Sequence, residues 1–214
     1  MKNNLTELVF ILDRSGSMHG LEADTIGGYN GLLEKQKAEP GEATVTTVLF
    51  DDQYELLCEN ADIQKIGPIT EREYYARGCT ALLDAVGRTI DKVGQRHKFA
   101  PAFAKPSKTM VVIITDGHEN ASREFGLSKV KSMIEHQKEK YGWEFLFLGA
   151  NIDAVQAASD IGISQDRAVE YHADSVGTAM NFDAVDRVTR CVRARAPISA
   201  DWKKDITEHL KKRR

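Results

Sequence analysis

Two short segments hold the residues best suited to chemistry: Asp13-Arg14-Ser15-Gly16-Ser17 and Thr115-Asp116-Gly117-His118. Each follows an apolar run, so each puts a carboxylate and hydroxyls where a strand gives way to a loop. Oxygen donors of this kind suit three uses. They can coordinate a hard cation such as Mg²⁺, which takes oxygen ligands in near-octahedral array and keeps several waters. Joined by His19 and His118 they could make a Ser/His/Asp hydrolytic set. Or they can cap helices and form turns, a common use of aspartate and serine, leaving a metal-free scaffold.

The elements that must position these segments are legible from hydrophobic patterning. Leu8-Val9-Phe10-Ile11-Leu12 reads as a strand covered on both faces, and residues 18–37 read as the first helix, closed by Pro40-Gly41. Gly27, Gly28 and Gly31 lie inside that helix, too late for a phosphate loop, and are expected to permit close packing of helix on sheet. Residues 43–50 and 53–59 are joined at Asp51-Asp52, too short a link for a parallel crossover, and predict an antiparallel hairpin. Leu82, Val86, Ile90 and Val93 trace a helix face, and residues 96–108 read as a loop. Met110-Val111-Val112-Ile113-Ile114 is the next strand, followed by a helix through Leu127, Val130 and Ile134 and a strand over 143–149. A short helix near 153–159, a weak strand over 168–171 and C-terminal helices complete the chain.

Strands alternating with helices predict an α/β fold: a doubly wound, mainly parallel sheet with one antiparallel edge strand and helices on both faces. In such sheets ligands bind beyond the carboxyl ends of the strands, where adjacent connections leave in opposite directions. Both acid-bearing loops belong at that edge. Residues 1–214 are expected to form a single domain, with 174–214 a helical segment packed on it or extending it.

At these loops the chain resembles the von Willebrand factor A (vWA) domains, in particular stand-alone members of bacterial type. Asp13-Arg14-Ser15-Gly16-Ser17-Met18 is similar to their D-x-S-x-S signature, Arg77-Gly78-Cys79-Thr80-Ala81-Leu82 to the element carrying a ligand threonine, and Thr115-Asp116-Gly117 to the third element. The resemblance implies a metal ion-dependent adhesion site. Ser15 and Ser17 would bind Mg²⁺, with Mn²⁺ or Ca²⁺ as substitutes, through their hydroxyls; Thr80 would bind directly or through water, and Asp13 and Asp116 largely through water or by hydrogen bonding to ligands. It further implies an open coordination position that accepts an aspartate or glutamate from a partner protein, and no enzymatic activity. A metal-dependent hydrolase using bound water is the alternative. No G-x-S-x-G elbow is present, and serines engaged by a metal are not free for a general base. His118, Glu119 and Asn120 are expected to be solvent-facing residues at the rim.

Composition narrows the classes. With 42% hydrophobic and 29% charged residues the 214-residue chain is globular in type. A net charge of -3 with interspersed signs argues against nucleic acid binding; the one basic cluster legible in sequence, Lys211-Lys212-Arg213-Arg214, suits a last helical turn. Cys58, Cys79 and Cys191 match no metal spacing and suggest reduced thiols in a cytoplasmic protein. Neither a signal peptide nor a membrane span is expected, because the first apolar run is only strand-length.

Overall fold

A computed structural model describes residues 4–213; Met1, Lys2, Asn3 and Arg214, the last of the terminal basic cluster, lie outside it. The chain runs β1 (Thr6–Asp13), α1 (Glu22–Lys37), β2 (Ala43–Phe50), β3 (Tyr54–Asp62), α2 (Leu82–Phe99), β4 (Lys108–Thr115), α3 (Leu127–Tyr141), β5 (Glu144–Ala150), α4 (Ala154–Asp160), β6 (Ala168–Tyr171), α5 (Ser175–Arg193) and α6 (Lys204–Arg213). The strands form one six-stranded sheet in the order β3-β2-β1-β4-β5-β6, in which β2 and β3 pair antiparallel and the other pairs are parallel. The doubly wound sheet with its antiparallel edge strand is therefore observed.

Strand alternation divides the core in two. Leu8, Phe10 and Leu12 of β1 face the helices that supply Tyr29, Leu33, Phe182, Val185 and Ile206, so α1, α5 and α6 cover one face. Val9 and Ile11 point the other way, to a cluster with Val86, Ile90, Val130, Ile134 and Ala158 of α2, α3 and α4. Because both faces are covered, the central strands carry continuous apolar runs, Leu8–Leu12 and Met110–Ile114, which is what makes them readable.

Three local expectations are corrected. Helix α2 runs through residues 96–99 and stops before Pro101, since nothing earlier denies it a backbone donor. The turn after β1 is a short 3-10 segment, Gly16–Met18, and α1 begins only at Glu22. The glycines of α1 do not bring the helix close to the sheet: a β carbon on Gly28 would overlap the Phe182 ring of α5, whereas Gly27 and Gly31 have nothing within 4 Å. The close approach is helix on helix. Other boundaries agree closely, and Gly142 ends α3 with φ 65°, the left-handed conformation that glycine adopts freely.

The C-terminal segment lies against the domain. Helix α5 packs on α1, Trp202 Nε1 donates to the Asp166 carbonyl at 2.8 Å, and Ile206 of α6 is buried. Lys211, Lys212 and Arg213 occupy the last turn of α6. Among the described residues no helix is long and apolar enough to cross a membrane.

Candidate functional site

Strands β1 and β4 are neighbours, and their onward connections lead to β2 on one side and β5 on the other. Their carboxyl ends form the switch point, where diverging loops leave a crevice. Asp13 is the last residue of β1, and Asp116 follows the last residue of β4. Both are 1% exposed.

Asp13 orders its own loop. Its Oδ1 accepts the Ser15 N–H at 2.6 Å, and its Oδ2 accepts the Thr115 hydroxyl at 2.5 Å, joining the loops after β1 and β4. Burial raises its pKa from 3.8 to about 6, against the opposing pull of those hydrogen bonds. The Ser15 and Ser17 hydroxyls are 3.1 Å apart, and Ser17 Oγ donates to Asp116 Oδ1 at 2.5 Å. Burial likewise raises the Asp116 pKa, again opposed by the bond from Ser17.

Thr80, 3% exposed, enters from the segment before α2. A β carbon built on Gly117 would stand 3.1 Å from Ser17 Oγ and 3.2 Å from Thr80 Oγ1, so the bare backbone of Gly117 is what allows the three loops to approach. Asp13, Ser15, Ser17, Thr80 and Asp116 are thus brought to one edge of the sheet. Asp116 Oδ2 is buried without a hydrogen-bond partner. An orphaned carboxylate oxygen among hydroxyls is a costly arrangement unless a cation or water satisfies it, so these residues fit a divalent cation. The donors are all oxygen. Among the described residues there is no group of three or more His, Cys, Asp or Glu that could hold a metal, and the donors gathered here are hydroxyls and two carboxylates.

The histidines stand apart from this cluster. His19 bonds Glu22 at 3.2 Å and is 88% exposed, and His118 is exposed. The serine hydroxyls are engaged with each other and with Asp116, and no imidazole bond to either serine is present among the described residues.

Several positioning residues carried no sequence signal. Arg14, 1% exposed, sends Nε to Asp51 Oδ2 at 3.0 Å, Nη1 to the Glu73 carbonyl at 3.2 Å and Nη2 to Glu55 at 2.7 Å. Arg77 reaches the same Asp51 oxygen at 2.7 Å, and both guanidinium groups stack on Tyr75. Burial opposes ionisation of Asp51, but the bonds from Arg77 and the Gln53 N–H and the two cationic charges hold its pKa below the usual value. Backbone bonds complete the weld: Arg77 N–H to Arg14 carbonyl at 2.8 Å, Ala81 N–H to Asp51 carbonyl at 2.9 Å, Gly16 N–H to Gly78 carbonyl at 3.1 Å.

Glu119 and Asn120 are also more than rim decoration. Asn120 Oδ1 accepts the Thr80 N–H at 2.9 Å, and Glu119 Oε2 accepts the Leu83 N–H at 2.8 Å, tying the loop after β4 to the start of α2. Asn120 is exposed and Glu119 half-buried, as expected of a rim, but both also act as acceptors, Glu119 for a free N–H in the first turn of α2.

No family model and no curated protein matches the sequence. Solved structures do. Proximal thread matrix protein 1 from the mussel byssus, with a zinc-occupied MIDAS motif, is similar at a TM-score of 0.59 and 15% identity, over 89% of this chain and 47% of that one. The vWF domain of the type V pili tip protein Mfa5 from Porphyromonas gingivalis gives 0.62 and 11%, over 91% and 98%. A von Willebrand factor type A protein from Catenulispora acidiphila gives 0.53 and 15%, over 85% and 42%. The chain spans about half the length of the mussel and Catenulispora proteins. Sheet order and these likenesses together establish that the chain has the fold of a von Willebrand factor A domain.

Proposed function

We propose that the chain is a divalent-cation-dependent protein-binding module. The observation that carries this reading is the convergence of Ser15, Ser17, Thr80 and Asp116, whose Oδ2 is buried without a hydrogen-bond partner. Ser15 and Ser17 would hold the ion through their hydroxyls, with Thr80 beside them and Asp13 and Asp116 tightening the hydroxyls and retained waters. Mg²⁺ is the ion that this all-oxygen, water-keeping set suits best. A bound cation would supply positive charge only partly quenched by neutral hydroxyls, and so an affinity for an incoming carboxylate.

The chain's own residues do the rest. The Arg14–Asp51–Arg77 junction fixes the loop after β1 against the segment carrying Thr80, and Gly117, lacking a side chain, leaves the Ser17 and Thr80 hydroxyls uncrowded. The partner is a protein that offers an aspartate or glutamate, and we place the encounter in the reducing cytoplasm, where the exposed Cys79 stays a thiol. Serines held by each other and by Asp116 count against a serine nucleophile and favour binding as the use of this site. Isothermal titration is expected to show one Mn²⁺ or Mg²⁺ per chain and loss of that binding in Asp116→Ala. Absence of binding by the intact chain would sink the reading.

A further inference from the structure

The opposite edge of the sheet carries a basic pole that the linear sequence conceals. Residues 92–115 contain no aspartate or glutamate, yet include Arg96, Lys98, Lys105 and Lys108. The end of α2, the loop to β4 and the end of α3 gather Lys98, Lys105, Lys108 and Lys140 around one cleft of about 540 Å³, in which Asp91 is the sole acidic lining residue. Behind His97, Glu7 is fully buried, paired with the Arg96 guanidinium and hydrogen-bonded to His97 at 2.6 Å. Its charge does not offset the lysines.

Beside the cleft, and not lining it, stand Phe99 and Phe103, 77% and 82% exposed, the most exposed large apolar side chains among the described residues. The Lys98 ammonium lies 5.5 Å from the centre of the Phe99 ring, and that of Lys140 lies 5.4 Å from the ring of exposed Tyr141. Lys98 and Lys140 belong to the last turns of α2 and α3, where cations complement the helix dipole. That role does not extend to Lys105 and Lys108, which lie outside helices, or to the exposure of Phe99 and Phe103.

We propose that this pole docks on an anionic lipid bilayer, with the lysines meeting lipid phosphates and Phe99 and Phe103 entering the interfacial layer. Charge complementarity selects an anionic surface, and each lysine near one contributes roughly fivefold to partitioning, less as salt rises. Single-stranded nucleic acid stacks its bases on aromatics within a basic groove. Here Tyr141 and the buried Trp143 line the cleft, but the two most exposed aromatics, Phe99 and Phe103, stand outside it and project into solvent, which suits entry into an interface. Strand β4 separates this pole from the Asp116 site by roughly 26 Å at about 3.3 Å per residue, so a docked chain would present the cation site away from the bilayer.

The test is cosedimentation of the full chain, in chelator, with phosphatidylcholine vesicles and with vesicles containing phosphatidylserine. Pelleting is expected only with phosphatidylserine, weakened by salt, and reduced at least about tenfold in Phe99→Ser/Phe103→Ser and in Lys98→Glu/Lys105→Glu. Circular dichroism melting checks that each variant folds, and Phe103→Ser alone replaces a double variant that does not. Equal pelleting on both vesicle types, or folded variants that pellet like the parent, overturns the proposal. A single-stranded oligonucleotide is titrated in parallel; lysine-dependent binding to it without vesicle pelleting overturns the membrane in favour of nucleic acid.

Discussion

Asp13 shows how a site residue can work against the fold that holds it. Its folded pKa of about 6 lies above the ordinary 3.8, so its contribution to stability is fully present below pH 3.8 and is lost as pH rises through about 6. The shift from 3.8 to about 6, at about 1.4 kcal/mol per unit, amounts to on the order of 3 kcal/mol in the metal-free chain. Asp13→Asn removes the ionisation and keeps an acceptor for the Ser15 N–H. In chelator at about pH 7.5 this variant is expected to melt above the parent, the difference shrinking toward about pH 4, while any response to Mg²⁺ disappears. Melting curves across pH check this; a variant less stable than the parent at neutral pH contradicts it.

At the scale of elements, α1 offers a paired experiment on what its glycines do. Gly28→Ala would drive a methyl into the Phe182 ring and is expected to destabilise by about 1–3 kcal/mol, because packed cores resist added volume. Gly31→Ala meets open space in a helix interior and is expected to stabilise by about 0.5–1 kcal/mol through the helix preference alone. Urea denaturation of the two variants decides it, and equal effects would contradict the helix-on-helix contact. From sequence the glycines announced only that something must compensate for them. Their positions within the helix did not say which neighbour, since Phe182 lies in a helix far along the chain.

Over the whole molecule, the Arg14–Asp51–Arg77 junction joins the first loop, the hairpin turn and the segment carrying Thr80. Asp51→Ala leaves the buried Arg14 guanidinium with only Glu55 and the Glu73 carbonyl and its Nε unpaired, and is expected to cost about 1–3 kcal/mol and to weaken cation binding as the loops loosen. Urea denaturation and Mn²⁺ titration of the one variant measure both. Cation binding in turn should stabilise the fold by about 2.7 kcal/mol when free ion exceeds its dissociation constant a hundredfold, read as a higher melting temperature in Mg²⁺ than in chelator. The sequence by itself determined the elements and the edge: apolar runs fixed β1 and β4, the short Asp51-Asp52 link fixed the hairpin, and an acid after each run marked the loops that matter. These are patterns among near neighbours, and local periodicity sets them. What only the tertiary structure decided depends on partners distant in the chain. Ser17 meets Asp116 across 99 residues and Arg14 meets Asp51 across 37, through the strand order. The orphaned oxygen of Asp116, the use of Glu119 and Asn120 as ties, and the basic pole around Lys108 and Lys140 exist only once the sheet has placed separate loops side by side.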